Sequence, residues 1–236
     1  MKALLILCLT FITLFASKAP QSGQVLVVTS PSWSSPKASL QMYIYAKGQW
    51  RPKGKAIKVF VGRKGLAWGK GLHHTPKSAR FIKKEGDGKA VAGIFELSHA
   101  FGYAPLSTAF PYKVYKRSDH CVDDVHSTFY NKIIQSQKVK KDYQSYEHMK
   151  LNNGYYQYGI VVNHNGIAKG EKVQKGAGSC IFMHIKHKAT AGCTAMKKNQ
   201  MRDIIKALNP KVNPLLVQGV KGDTLKLLHS IKAMEW

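Results

Sequence analysis

The sequence predicts a mainly β fold with a few short helices, of the α+β class. In the first half of the chain, short apolar or β-branched runs are separated by Ser-Pro and Gly-Lys segments, which is the pattern of strands and turns. More apolar runs of strand length follow in the second half, where few segments have a helical period. The predicted strands are residues 24–29, 40–46, 57–61, 94–97, 158–162, 180–185 and 215–220.

Apolar side chains at helical spacing predict three helices. The clearest one places Met201, Ile204 and Ile205 on one face and is followed by Pro210, which cannot continue a helix. The segment 224–231 is compatible with either a helix or a strand. The predicted helices are residues 127–137, 143–149 and 197–208.

Residues 1–19 are predicted to be a secretory signal peptide. Lys2 supplies a positive start, residues 3–15 are apolar apart from two threonines, and small residues follow. The apolar run is too short for a membrane span, and no later stretch reaches the roughly 18 uncharged residues that spanning requires. The mature chain, residues 20–236, is therefore expected to be an exported single domain without a transmembrane segment.

The chain is strongly basic, with 37 Lys and Arg against 12 Asp and Glu and a formal net charge of +25. Solubility alone does not require so large a charge, so an anionic partner is expected. An exported protein meets anionic envelope polymers more readily than nucleic acid, and nucleic acid is not the expected partner. The alternative is that the lysines form a solvated surface.

Residues 179–196 place a strand bearing His184 just before a turn of small residues bearing Cys193. This order brings an imidazole near a thiol, and an adjacent imidazolium lowers the pKa of a thiol from its usual value of about 8.5. Gly192 allows a tight turn whose amides can face a developing oxyanion. The pattern predicts that Cys193 lies at the mouth of a cleft between the His184 strand and the 197–208 helix.

Other interpretations of these side chains remain open. A strand histidine and a cysteine are often simply core residues. A metallohydrolase is conceivable because four potential ligands lie close together, but the HExxH pattern of a ligand helix is absent and no metal is expected. A non-enzymatic basic protein that binds wall polymer or nucleic acid would explain the charge alone. The four potential ligands are His120, Asp123, Asp124 and His126.

The segments Phe182-Met-His184 and Thr190-Ala-Gly-Cys-Thr-Ala-Met196 resemble the catalytic signature of the L,D-transpeptidase (YkuD-like) domains. The resemblance is to a branch with T-A-G-C in place of the more familiar S-H-G-C, and it extends over about residues 25–208. Further segments similar to that branch are Lys84-Glu-Gly-Asp-Gly-Lys89, Ala92-Gly-Ile-Phe95, Ala100-Phe-Gly-Tyr103, Cys121-Val-Asp-Asp124, Phe129-Tyr-Asn131 and Tyr158-Gly-Ile-Val-Val-Asn163.

The resemblance implies an L,D-transpeptidase-like β-sandwich or barrel in the periplasm or cell wall. Cys193 would attack the carbonyl of the L-centre in a peptidoglycan stem peptide and release D-alanine. Transfer of the acyl group to an amine would make the protein a transpeptidase, and transfer to water a carboxypeptidase. His184 would be the base, the amides of Gly192 and Cys193 would hold the oxyanion, and Thr194 would support that turn. No cofactor is implied.

The sequence departs from the family pattern around the nucleophile. Ala195 stands where many members have an arginine that can hold a substrate carboxylate. Lys186 and His187 are the candidates for replacement charge at the cleft, with Thr190 beside them, although a solvated loop explains them equally well.

Two further cysteines, Cys121 and Cys180, accompany the candidate nucleophile in the mature chain, which gives an odd number in a compartment that favours disulfides. If they pair, the disulfide contributes on the order of 4 kcal/mol in the chain-entropy view. The alternative is two buried free thiols.

Overall fold

Eight strands close into a barrel, which confirms the prediction of a mainly β protein with few short helices. The computed structural model describes residues 19–168 and 172–235, so the predicted signal peptide, apart from Ala19, lies outside the described residues. Within these two ranges no helix is long and apolar enough to cross a membrane.

The strands, in chain order, are β1 (Gln21–Ser22), β2 (Gln24–Ser30), β3 (Lys37–Ala46), β4 (Gln49–Phe60), β5 (Leu66–Trp68), β6 (Ala90–Gly102), β7 (Tyr112–Val114), β8 (Asp119–Val122), β9 (Ile133–Gln135), β10 (Tyr146–His148), β11 (Tyr158–Val162), β12 (Phe182–Ile185), β13 (Thr194–Met196), β14 (Leu215–Val220) and β15 (Lys232–Ala233). The helices are α1 (Lys198–Ala207) and α2 (Lys221–His229), with short 3-10 turns at Ser136–Lys138 and Pro210–Val212.

The barrel has the strand order β11-β12-β13-β4-β3-β2-β14-β6, and β6 pairs again with β11 to close it. Two neighbouring pairs, β12 with β13 and β2 with β14, are parallel. Outside the barrel, β8 lies between β9 and β10 in a small antiparallel sheet. This small sheet carries Cys121 and supplies part of the candidate site.

The largest apolar cluster draws side chains from all eight barrel strands and therefore fills the barrel interior. Along β12 this interior face holds Met183 and Ile185. The apolar side of α1, with Met201, Ile204 and Ile205, joins the same cluster. The predicted helix is thus present, and it packs against the interior side of the barrel wall.

The strands β2 and β14 are buried on both faces. Leu26 and Leu216 face the barrel interior, whereas Val25 and Val217 pack in a separate cluster on the other face, to which α2 contributes. Burial on two sides explains why these strands appear in the sequence as unbroken apolar runs. The ambiguous segment 224–231 lies mostly in α2.

Two of the three predicted helices are wrong. Residues 127–132 form turns that lead into β9, and the segment 143–149 contains β10. The Ser127 hydroxyl bonds to Asp142 and accepts the N–H of Phe129, which favours a local turn over a helix. Asn131 has a φ of 58°, a left-handed conformation that a helix cannot contain.

Candidate active site

The alternation of β12 places His184 on the outer face of the barrel. Met183 and Ile185 face the interior, so Phe182 and His184 face the opposite side, where Phe182 packs in a third apolar cluster. Because α1 packs on the interior side, the site does not lie between the His184 strand and the helix, and that prediction is wrong. His184 instead faces the loop at residues 150–157, where its ring meets that of Tyr156.

The thiol of Cys193 lies in this third cluster and is hydrogen-bonded to the chain before it. The main-chain N–H of Phe182 donates to its Sγ at 3.3 Å, and the Sγ is 3.5 Å from the carbonyl oxygen of Cys180. Only 8% of Cys193 is exposed, so the thiol is enclosed and does not lie at the mouth of an open cleft.

The turn before the thiol is closed by Thr190. Its hydroxyl donates to the carbonyl oxygen of Cys193 at 2.6 Å and accepts the N–H of Gly192 at 3.1 Å. The sequence predicted that Thr190 lies beside the substrate cleft. In the structure its buried side chain instead stabilises the turn. The Gly192 amide, predicted to hold an oxyanion, already has an acceptor.

Thr194 braces the other side of the nucleophile. Its buried hydroxyl donates to the side-chain Oε1 of Gln218 at 2.8 Å. The side-chain Nε2 of Gln218 donates to the main-chain carbonyl oxygen of Val91 at 2.6 Å. This chain of bonds connects β13 to β14 and β6 through side chains. The Thr194 side chain thus supports the backbone after Cys193.

Both candidate catalytic groups are neutral at neutral pH. Burial raises the pKa of the Cys193 thiol to about 12, and it lowers the pKa of His184 to about 4. The Nδ1–H of His184 donates to the Ile185 carbonyl oxygen at 3.0 Å, so the lone pair of the neutral ring is on Nε2. The expected lowering of the thiol pKa by an imidazolium is not present in this enclosed state.

Among the described residues no hydrogen bond joins His184 to Cys193, and Tyr156 packs against the His184 ring. Its ring meets the His184 ring edge to face at 5.1 Å between centroids. It also belongs to the apolar cluster that contains Cys193, and its charge would interact with that of the thiol. The Tyr156 hydroxyl donates a short hydrogen bond to the Glu147 carboxylate.

Glu147 and Tyr156 carried no recognisable signal in the sequence. Glu147 is on β10, inside a segment predicted as a helix, and Tyr156 is in the loop that precedes β11. Desolvation raises the pKa of Glu147 to about 7, although the Tyr156 hydroxyl opposes that rise. The one indirect signal was the segment 100–103, which includes Tyr103 and resembles a segment of the L,D-transpeptidase branch.

Tyr103 anchors the loop that carries Tyr156. Its hydroxyl donates to the Leu151 carbonyl oxygen at 3.0 Å and accepts the N–H groups of Leu151 and Tyr156 at 2.9 and 3.2 Å. One side chain from the end of β6 therefore fixes both ends of the loop over the thiol.

A disulfide joins Cys121 of the small sheet to Cys180, at a sequence separation of 59. Cys193 is the free cysteine of residues 19–168 and 172–235. Cys180 is held further by its N–H, which donates to the Asn131 side chain at 3.0 Å. The carbonyl next to the thiol is thus fixed by a covalent link and a buried hydrogen bond.

The acidic residues of the segment 84–89 brace this same region. The Glu85 carboxylate accepts from the hydroxyls of Tyr130 and Ser179 at 2.6 and 2.7 Å. Asp87 pairs at 2.5 Å with the ammonium of Lys83, which is 5% exposed. The Lys83 charge opposes the rise in the pKa of Cys193, so this cation lies close to the nucleophile.

The remaining site candidates occupy the loop after β12. Lys186 is half-buried, with its ammonium 5.5 Å from the centre of the Tyr155 ring, and its charge opposes the rise in the pKa of Cys193. His187 is exposed. Lys186 is therefore brought toward the thiol, and the structure gives His187 no contact with it.

The polar residues considered as metal ligands bond to neighbouring protein groups. Asp123 accepts from the Ser145 hydroxyl, and Asp124 accepts from the main-chain N–H groups of His126 and Gln144. In the part of the chain that the structure describes, no group of three or more His, Cys, Asp or Glu could hold a metal ion.

Solved structures with a similar chain path include the helical cell shape determining protein Pgp2 from Campylobacter jejuni. It is 14% identical, and the match covers 87% of this chain and 52% of that chain with a TM-score of 0.40. A mutant of the same protein is 15% identical, with 91% and 57% covered and a TM-score of 0.40. The chain thus spans little more than half the length of these structures. No protein-family model and no curated protein matches the sequence.

Proposed function

We propose that this protein is an exported cysteine acyltransferase of the L,D-transpeptidase type that acts on peptidoglycan stem peptides. The observation that carries the proposal is the setting of Cys193, a free thiol whose sulfur accepts a main-chain N–H. A neutral imidazole with its lone pair on Nε2 lies on the same face of the barrel. The sequence motifs around both residues support the choice of reaction class.

In the proposed reaction, Cys193 attacks the carbonyl carbon of the L-centre while His184 Nε2 accepts the thiol proton. The bond from that carbon to the nitrogen of D-alanine then breaks, and His184 returns the proton to the leaving amine. A thioester with Cys193 remains. An amine or water attacks the thioester, a proton passes to the sulfur through His184, and the free thiol is restored.

Of the two predicted oxyanion donors, Gly192 already has an acceptor for its N–H. The N–H of Gly192 is engaged with Thr190, so the proposal assigns the oxyanion to the N–H of Cys193. The nearby ammonium of Lys83 supports the thiolate and any negative charge that develops beside it.

The net charge of +25 supports association with an anionic wall or envelope polymer. Such association would keep the protein close to stem peptides in the periplasm or cell wall. A purely non-enzymatic binder would account for the charge, but it would give no role to the braced turn around Cys193.

Incubation with a stem tetrapeptide tests the proposal through the release of D-alanine. Cys193→Ala should abolish release, whereas His184→Ala should lower it by a factor of about 10² to 10⁴ and leave a trace. His229→Ala, which removes an exposed histidine at the end of α2, is the matched control and should keep full activity.

The same assay separates the two acceptors when it is run with and without an amine. A cross-linked product indicates a transpeptidase, and tripeptide alone indicates a carboxypeptidase. Full activity of Cys193→Ala would contradict the proposal, and binding of wall polymer that survives alkylation without any D-alanine release would favour the non-enzymatic binder.

A further inference from the structure

The small sheet presents one acidic side chain toward the nucleophile. On β10, Tyr146 stacks on His120 at 4.0 Å and His148 also faces His120, so these three rings share one face of the sheet. Glu147 lies between Tyr146 and His148 and therefore points to the opposite face. There it is the cross-strand partner of Cys121, whose disulfide reaches Cys180 beside the thiol.

Tyr156 connects this carboxylate to the imidazole. Its hydroxyl donates to Glu147, while its ring packs against His184 at 5.1 Å and Phe182 at 5.6 Å. The loop that carries Tyr156 is held by Tyr103. The hydrogen-bonded pair of Glu147 and Tyr156, nine residues apart in sequence, thus lies against the strand that bears His184.

We propose that Glu147 and Tyr156 are positioning residues of the Cys193 site: Tyr156 holds the imidazole, and the Glu147 carboxylate restrains the thiol from ionising. The effect on the reactivity of the thiol does not depend on the proposed function. Only the consequence for catalysis rests on that function. Burial keeps the enclosed thiol protonated, and the charge of Glu147 adds a further restraint that is lost when Glu147 is neutralised.

The charges around Glu147 decide the direction of the effect. Desolvation raises its pKa most and the charges of Asp123 and Glu85 add to that rise, whereas the Tyr156 hydroxyl and the Lys186 ammonium lower it. Burial raises the pKa of Cys193 and the Glu147 carboxylate raises it further, whereas the N–H of Phe182, Lys83 and Lys186 oppose that rise. The negative charge of Glu147 appears near pH 7, so the restraint should begin there.

The rate of modification of Cys193 by methyl methanethiosulfonate, a small uncharged reagent for thiolates, tests the inference from pH 6 to 10. The logarithm of the wild-type rate should rise with pH, bend near pH 7 as Glu147 ionises, and rise again. In Glu147→Gln the bend should be absent. The two rates should coincide below pH 7 and differ on the order of tenfold above it, for a coupling of one pKa unit.

This pattern separates charge from a loosened structure. A variant that merely opened the site would react faster at every pH, whereas removal of a charge acts only where that charge exists. Asp203→Asn, which neutralises an exposed carboxylate on α1, should keep the wild-type profile with its bend. Coincident profiles of wild type and Glu147→Gln over the whole range would overturn the inference.

Tyr156→Phe gives a second, independent test. It retains the ring against His184 but removes the hydroxyl that lowers the pKa of Glu147, so the bend should move to higher pH. A bend that stays at its wild-type position would exclude the role of the hydroxyl. A bend without D-alanine release would refute the proposed function alone, and release without a bend would refute this inference alone.

Discussion

The hydroxyl of Thr190 and the backbone of Cys193 form a closed unit, because the hydroxyl donates to the Cys193 carbonyl oxygen at 2.6 Å. The Thr190 hydroxyl oxygen also accepts the N–H of Gly192. Thr190 is 4% exposed, so neither bond can be replaced freely by water. The conformation of the turn that presents the thiol therefore depends on one hydroxyl.

Thr190→Val keeps the shape of the side chain and removes that hydroxyl. We expect the free energy of unfolding to fall by about 1–3 kcal/mol, because a buried N–H and a buried carbonyl lose their partner. D-alanine release should fall with it, since the thiol is no longer held in one position. Denaturant unfolding and the release assay measure the two effects. Thr190→Ser, which keeps the hydroxyl, should retain both the stability and the D-alanine release of the wild type. A Thr190→Val protein with wild-type stability would contradict this role.

Tyr103→Phe should loosen the loop over the thiol. The change removes one donor and leaves the N–H groups of Leu151 and Tyr156 without their acceptor. We expect a loss of about 1–3 kcal/mol in unfolding free energy and faster thiol modification at every pH. Tyr112→Phe is the matched control, because the Tyr112 hydroxyl makes one exposed bond to the Ala104 carbonyl oxygen. Equal effects of the two variants would show that Tyr103 has no special role.

The strands with the strongest burial were the easiest to predict from sequence. The prediction for residues 215–220 coincides with β14, where both faces are apolar. The helix at 197–208 was equally clear, because its apolar face has a regular period. The segment 143–149 failed because its aromatic spacing serves contacts across the small sheet, such as Tyr143 with Tyr146, and those contacts are tertiary.

Only part of the candidate site could be predicted from the sequence. His184 and Cys193 are close along the chain and sit in a recognisable pattern of strand and turn. Glu147 and Tyr156 are nine residues apart, but they meet Tyr103 and His184 only when the small sheet and its loop pack against the barrel. No local pattern encodes such a meeting, so these residues could be found only in three dimensions.

The disulfide between Cys121 and Cys180 should stabilise the protein substantially. A closed loop with a separation of 59 residues contributes on the order of 4 kcal/mol in the chain-entropy view. We expect the Cys121→Ser, Cys180→Ser double variant to lose about this much in unfolding free energy. Non-reducing digestion and mass spectrometry should recover the linked peptide pair with Cys193 free. A reductant should destabilise the wild type but not the double variant, and Cys193 linked to either partner would contradict the assignment.

Glu147 should make stability depend on pH in a direction opposite to that of an ordinary paired carboxylate. Its pKa rises from 4.5 to about 7 in the folded state, so between these values the folded protein keeps a proton that the unfolded chain has lost. Its contribution to stability is therefore complete below pH 4.5 and is lost as the pH rises through 7.

Glu147→Gln removes this dependence while a side-chain oxygen can still accept from Tyr156. We expect the variant and the wild type to be equally stable near pH 4.5 and the variant to be more stable above pH 7. Each pKa unit corresponds to about 1.4 kcal/mol, so the difference has an upper limit of about 3 kcal/mol, reduced by solvent screening because the residue is half-buried. Denaturant unfolding of both proteins across pH 4.5–8.5 measures the difference directly. A variant that is less stable than the wild type at pH 8 would show that the carboxylate is stabilised in the folded state, contrary to the pKa shift that burial causes.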